Sequence, residues 1–558
     1  MQSSLLVQNS VSRSYAHRLA SLLSVIISCV SSSSQGQNLE RWVYAPVNFL
    51  VPTEIERLEK LMREAKSLSY SHFLITDSKF CRLHELDKKY FHHVARTCQL
   101  AKELDLKLVP AVFPVGYSNS LLSQNVNFAD GLPVKHAVFV IHGNEAKIMP
   151  DPAVSLPPLT DRKQWNFIDE TLMVEGDGLR VTDPNGKNCR VMKTVKVSPF
   201  RHYHVSVRVK TQDFKGQPQI TVLEPGTGRR LTHTNLKISK TNDWSTQHIT
   251  FNSLGNQSVN LYIGAWGPTG GSLWLADASI EECGLLNILR RDGTPLQVVI
   301  DDELSRELKE GVDFEAVVDV HLGNVPYSGE YEVWHDSPAI RMKEKWNDGT
   351  RLRVSWYHPH IIYDGQVCGC VTEPGFVALL KQHADDVEKL FPTTDRMMSH
   401  DEWRLMGWDE SFRKAEKTPG KVVADNVRDC TRHLRSLQSD RRIFVWNDMF
   451  DPHHNAVDNY YLVNGDLSGS WDGLERDVAI MNWNFGVRAE SLKFFSDRGH
   501  KQVLAGFYDA DAEQIGKWLD TVVKHQIRGV IGVMYTTWHQ DYSQLKEFRD
   551  VVDRFEKL

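Results

Sequence analysis

The sequence predicts an α/β chain, a (β/α)8 TIM barrel interrupted by an all-β jelly-roll sandwich. Short apolar strands alternate with amphipathic helices from Trp42 to Pro114 and again from Arg351 to Trp538. Between Trp165 and Cys283 that alternation gives way to short strands separated by Gly, Pro and Asn turns. The chain is 558 residues long, enough for a barrel of about 250 residues and further units. It is 41% hydrophobic and 24% charged with a mean hydropathy of −0.38, which excludes wholesale disorder. The net charge is −6 and no basic tail is present, so nucleic acid is not expected as the principal partner.

Residues 1–38 read as a leader and linker rather than as fold. Arg13, His17 and Arg18 precede the 12-residue apolar run Leu19–Val30, and Ser31–Ser34 follow. That order is the pattern of a secretory signal peptide. The run is too short for a bilayer core of about 30 Å. Ile26-Ile27-Ser28-Cys29 also resembles a lipobox, which would make Cys29 a lipid anchor and the only membrane attachment. The expected location is therefore secreted, periplasmic or on the cell surface as a lipoprotein. Seven cysteines remain, without framework or zinc spacing; Cys189 and Cys283 bracket one segment, and the sequence leaves open whether they pair across it.

The remaining chain divides into a first part of the barrel (39–155), the sandwich (156–283), a β-rich connector (284–350) and a second part of the barrel (351–558). In the first part, strands are expected at 41–50, 71–76 and 107–114, with helical stretches between them. In the sandwich, RHYHVSVRVKT alternates strictly, one face buried and one wet. Its strand order resembles a galactose-binding-like jelly roll of the carbohydrate-binding-module type, with Trp274 expected in the core and Trp266 as a candidate sugar platform. In the last part, strands are expected at 351–359, 396–403, 441–450, 477–485, 501–509 and 529–538. Three plus six strands is one more than a barrel needs.

Catalytic groups in such barrels sit at the C-terminal strand ends. Those ends carry His400-Asp401-Glu402-Trp403, Trp446-Asn447-Asp448 with Asp451, Trp483-Asn484, Tyr508-Asp509 and Trp538-His539. Carboxylates, amides and large aromatics on one rim suit a sugar, which needs acid–base groups, hydroxyl partners and ring platforms. The expected ligand is accordingly a carbohydrate: an oligosaccharide, polysaccharide or glycoconjugate.

Leu108-Val-Pro-Ala-Val-Phe-Pro-Val-Gly-Tyr117, Met398-Ser-His-Asp401-Glu402 and Val445-Trp446-Asn-Asp-Met-Phe450-Asp451 together resemble the third-, fourth- and fifth-strand motifs of family 20 glycoside hydrolases, the β-N-acetylhexosaminidases. The likeness covers about residues 40–120 and 390–540 and leaves 351–359 as the surplus strand. It implies substrate-assisted, retaining catalysis, an exception to the two-carboxylate scheme. Glu402 would then be the general acid/base and Asp401 the partner of the substrate's acetamido N–H. Trp446, Trp483 and Trp538 would wall the sugar, and Tyr508 would bond the acetamido oxygen. His400, Asp448, Asp509 and His539 complete the candidate substrate contacts, with no cofactor and no metal. Burial against Trp403 or Trp446 would raise the Glu402 pKa. The sequence departs from the pattern where the family's first-strand Arg is replaced by Val47-Asn48-Phe49. It departs again where Trp-x-Glu is Trp538-His539-Gln540.

Two alternatives stand beside this reading. Glu373 is a candidate nucleophile for an ordinary two-carboxylate glycosidase, paired with Glu402. A degenerate, non-catalytic barrel whose sandwich binds glycan is the other.

Overall fold

The structure is a computed structural model that describes residues 39–181, 188–267, 270–302, 306–507, 509 and 511–557. The leader, Cys29 and Tyr508 lie outside the described residues. Among the described residues no helix is long and apolar enough to cross a membrane.

Eight parallel strands close into a barrel. They are β1 (Glu40–Pro46), β2 (His72–Thr76), β3 (Lys107–Val112), β4 (Asp395–Met398), β5 (Arg442–Trp446), β6 (Ala479–Asn482), β7 (Gln502–Leu504) and β8 (Val530–Tyr535). Closure comes where β1 pairs with β8, Trp42 opposite Met534. Trp42, Leu74, Val109, Met397, Phe444, Met481, Val503 and Met534 fill the barrel interior as one apolar cluster.

Helices separate most of these strands. Helix α1 (Pro52–Ser67) starts on a proline, whose missing N–H costs nothing at a helix start. It buries Ile55, Leu58, Leu61, Met62 and Ala65 along one stripe. Helix α2 (Lys88–Glu103) is capped by Asp87, which accepts from the N–H groups of Lys89 and Tyr90. Helix α3 (Pro374–Leu390) leads into β4, and α4 (Pro419–Leu437) connects β4 to β5. Helices α5 (Arg488–Arg498) and α6 (Glu513–Lys524) precede β7 and β8, and α7 (Leu545–Glu556) follows β8. The β5–β6 connection departs from the regular alternation: it holds 3₁₀ turns and the two-residue strand Leu462–Val463, with no α-helix.

The insertion between β3 and β4 carries three antiparallel sheets. Five strands run in the order Asn242–Asn252, His202–Gln212, Ser272–Glu282, Gly178–Val181, Leu172–Glu175. Four more run Gln219–Leu223, Ser258–Ala265, Cys189–Lys196, Phe167–Ile168. Val205, Val207, Val209, Leu273 and Leu275 of the first and Val191, Val222, Leu261 and Ile263 of the second are buried in one continuous core. Trp274 is not in that core. It stands between the inward Leu273 and Leu275, half-buried on the outer face, with its Nε1 donating to Glu175 at 3.0 Å. Cys283 is a buried free thiol, so no bridge joins it to Cys189.

A third sheet has six strands and includes the surplus strand. Arg351–His358 pairs with Leu132–His142, Leu352 opposite Phe139. Leu132–Ile148 therefore belongs with the connector strands Gln297–Ile300 and Ile340–Arg341, although the sequence reading grouped it with the barrel.

Candidate active site

Alternation along β4 sets the first side chains. Met397, Ser399 and Asp401 line a cavity at the C-terminal mouth of the barrel. Met398 and His400 face the opposite way, into the buried layer around the barrel. His400 is fully buried and shares a hydrogen bond of 3.0 Å with Asn426 on α4, packed near Phe113 and Phe450. It is not a cavity residue, which corrects the sequence expectation.

By the same parity Glu402 should also face away. Its backbone instead lies in the left-handed region at φ 50°, a conformation that costs a non-glycine residue about 1–3 kcal/mol. The turn brings Glu402 back beside Asp401, so both line one cavity. Phe113, Asp509 and Gln540, after β3, β7 and β8, share positive φ values of 60°, 52° and 56°.

The cavity has a volume of about 460 Å³. Tyr44, Thr76, Tyr117, Trp446, Trp483, Thr536 and Trp538 form its walls with the acidic pair, and Leu74, Ala111 and Met397 extend it toward the barrel interior. Trp538 is 55% exposed, and its ring meets Tyr44 edge-on at 5.2 Å. Gly116 is required where the β3 exit crosses the pair, because a Cβ there would sit 2.0 Å from the Asp401 carbonyl oxygen.

Asp448 supports the pair from below. It is fully buried and accepts the N–H of Glu402 at 2.8 Å, Nδ2 of Asn455 at 2.9 Å and Nε1 of Trp483 at 3.2 Å. Burial raises its pKa even against these donors. Asn447 accepts the Trp483 N–H at 3.2 Å and donates to Asp451 at 2.7 Å, which ties β5 to β6.

The two acidic side chains sit in different environments. Asp401 is pushed up to about 8, first by burial and then by the neighbouring Asp448 and Glu402 carboxylates. Glu402 accepts a hydrogen bond from the Tyr117 hydroxyl and pairs with Arg404 at 2.5 Å. Trp403, expected to bury Glu402, turns away and donates to Asp130 at 3.3 Å.

The other expected residues fall outside the cavity wall. Asp509 accepts the Trp538 N–H at 2.8 Å and lies 3.2 Å from His539, so it fixes the β8 exit. Glu373 pairs with Arg291 at 3.3 Å before α3 and does not line the cavity, which removes the geometric basis for pairing it with Glu402. Arg291 also pairs with Asp409 at 2.6 Å, inside the one group of described residues with metal-ligand spacing, Asp130, Cys370 and Asp409. A cation already occupies that cluster's electrostatic role.

Tyr44, Tyr117, Arg404 and Ser399 were not among the expected site residues. Ser399 and Tyr44 follow from inward parity on their strands, whereas nothing local marks Arg404. Trp266 packs near Tyr262 with Arg190 over its ring at 5.4 Å.

No protein-family model matches the sequence, and no curated protein matches it. Among solved structures, the chain is similar to a family 20 glycoside hydrolase β-N-acetylglucosaminidase at 8% identity and a TM-score of 0.35, covering 93% of this chain and 69% of that one. It is similar to a chitobiase from Flavobacterium johnsoniae at 9% identity and a TM-score of 0.34, over 93% of this chain and 51% of that one. The chain thus spans about half the chitobiase's length. A family 4 carbohydrate-binding module aligns with 22% of the chain and 81% of its own length, at 12% identity and a TM-score of 0.17. The chemistry of the rim has to be read from its own side chains.

Proposed function

We propose that this protein is a retaining glycoside hydrolase acting by substrate assistance on N-acetylated sugars. One observation carries the reading: Asp401 and Glu402 enter one cavity walled by Trp446, Trp483 and Trp538. Glu402 accepts from Tyr117, which is 46% exposed at the mouth. That position suits the carboxyl that meets the leaving group. In the proposed reaction the acetamido oxygen attacks the anomeric carbon while the glycosidic C–O bond breaks. Glu402 gives its proton to the departing oxygen. Asp401 bonds the acetamido N–H, and with Asp448 beneath it supplies negative potential to the oxazolinium charge. Water then adds at the anomeric carbon, its proton returns to Glu402, and configuration is retained.

A second assignment exchanges the roles of the pair. Burial and the neighbouring carboxyls raise Asp401, which favours its protonated form, while Glu402 is paired with a cation. Divergent environments of this kind mark an acid and its ionised partner. The leaving group decides between them. Loss of the true proton donor is masked with dinitrophenyl glycosides, whose leaving group needs no proton, and exposed with poor leaving groups.

Hydrolysis of 4-nitrophenyl N-acetyl-glycosides but not of plain 4-nitrophenyl glycosides tests the reading; equal turnover of both refutes substrate assistance. The same proposal places the protein outside the cytoplasm through the leader at 1–38, with Cys29 as a lipid anchor. Radiolabelled palmitate incorporated by the wild type and lost in Cys29→Ser is the expected result.

A further inference from the structure

Arg404 is the cation that holds Glu402, and part of what holds Arg404 lies outside the barrel. Its guanidinium is buried, pairs with Glu402 at 2.5 Å and donates to the Gln366 side-chain oxygen. Gln366 in turn donates to the backbone carbonyls of Gly116 at 2.9 Å and Glu402 at 3.0 Å. The rings of Tyr363 and Tyr461 each lie 5.2 Å from the guanidinium carbon, and their hydroxyls are 3.4 Å apart. The two rings meet edge-on, centroids 6.3 Å apart, and together form a clamp against the Arg404 guanidinium.

Both sides of that clamp are gripped by one loop of the sandwich. Arg229 donates from Nε to the Tyr461 carbonyl at 2.7 Å and from Nη2 to the Val463 carbonyl at 3.2 Å. The His233 ring lies against Tyr461, centroids 4.3 Å apart, and the His233 carbonyl accepts the Tyr363 N–H at 2.6 Å. Thr234 donates to the Ile361 carbonyl at 3.3 Å and Asn235 to Asp364 at 3.3 Å. Two separate anchors, on Tyr461 and on Tyr363, converge on one guanidinium.

We propose that Arg404 is a positioning residue for Glu402, and that the sandwich loop from Arg229 to Asn235 completes the active site by fixing the Tyr363–Tyr461 clamp around it. The sandwich then helps to position the active carboxyl. This rests on the reading of Glu402 as an active carboxyl.

The experiment compares Arg404→Met, Arg229→Ala, Arg229→Lys and Glu402→Gln with 4-nitrophenyl N-acetyl-β-D-glucosaminide, and Trp244→Ala, on the sandwich's outer face, as the control. Displacing an active group by about 1 Å costs on the order of 100-fold. Arg404→Met is therefore expected to lower kcat about 100-fold with KM little changed. Arg229→Ala lowers kcat by a smaller factor, about tenfold, and moves the pH profile of kcat in the same direction as Arg404→Met. Arg229→Lys, which keeps a donor for the Tyr461 carbonyl, restores most of the rate, and Trp244→Ala leaves it unchanged. Wild-type kcat and pH profile in Arg229→Ala, with Glu402→Gln inactive, overturn the inference alone. Wild-type activity in Glu402→Gln overturns the functional reading and the inference with it. Hydrogen exchange supplies a readout that needs no substrate: Arg229→Ala is expected to speed amide exchange at 400–406 as well as 460–464. Unchanged exchange at 400–406 refutes the coupling.

Discussion

The carboxylate of Asp448 accepts the backbone N–H of Glu402 at 2.8 Å. This bond joins the exits of β4 and β5 and holds Glu402 in its left-handed turn. Without it, strand parity would carry the Glu402 side chain away from the cavity. Asp448→Asn is therefore expected to lower kcat strongly, with kinetics on aryl N-acetyl-glycosides as the measure. Wild-type kcat would separate Asp448 from the geometry of the pair.

Glu402→Gln should remove the proton transfer that its role supplies, worth about 10²–10⁴-fold in rate. The loss is expected to be large for a 4-methylumbelliferyl leaving group and much smaller for dinitrophenyl. If Asp401→Asn shows that leaving-group dependence instead, the exchanged assignment holds.

Asp401 also predicts a pH dependence of stability. Its carboxyl is raised from 3.8 to about 8 in the folded protein, so the folded state binds more protons across that window. The contribution is fully present below about 4 and is lost as pH rises through 8. Urea denaturation at pH 5 and pH 8.5 should show a smaller difference in Asp401→Asn than in the wild type. An unchanged difference would mean that Asp401 is not the responsible group.

Gly116→Ala is expected to disturb the site from the other side, because its Cβ meets the Asp401 carbonyl oxygen at 2.0 Å. Overpacking of this kind costs about 1–3 kcal/mol. Thermal unfolding should show a fall in Tm accompanied by loss of activity. Full activity with unchanged Tm would show that the β3 exit does not constrain the pair.

Charge sets a further expectation. Among the described residues the cavity wall carries two carboxyls and no Lys, Arg or His, and the nearby Arg404 is already paired with Glu402. A glycoside of a uronic acid would bring a carboxylate with no free cation to pair it, at a cost of several kcal/mol. Its kcat/KM should fall at least about 100-fold below that of the neutral sugar, measured on paired 4-methylumbelliferyl substrates. Comparable values would require a cation to enter the site.

Local pattern was enough to place the barrel strands and to put carboxyls and aromatics at their C-terminal ends, since strand periodicity and strand-end chemistry are properties of short segments. Alternation also separates Ser399 and Asp401 from His400, yet only the positive φ at Glu402 reveals that alternation fails one residue later. Trp274 went to the wrong face because SLWLADASIEE offers apolar residues to both sides. Pairing of Leu275 with Leu179 and Trp274 with Arg180 decides its register.

The sequence by itself determined the strands of the barrel, that a β-rich insertion interrupts it, and that aromatics and carboxyls gather on one rim, but not that 132–148 and 351–358 pair with the connector. Tertiary structure alone decided that Asp401 sits where burial and neighbouring carboxyls raise it, that Glu402 pairs with Arg404, and that Glu373 belongs to Arg291. It also brought Arg229, Tyr363 and Tyr461 around Arg404. The reason is physical: periodicity acts over a few neighbouring residues, whereas burial and ion pairing depend on side chains brought together from distant parts of the chain.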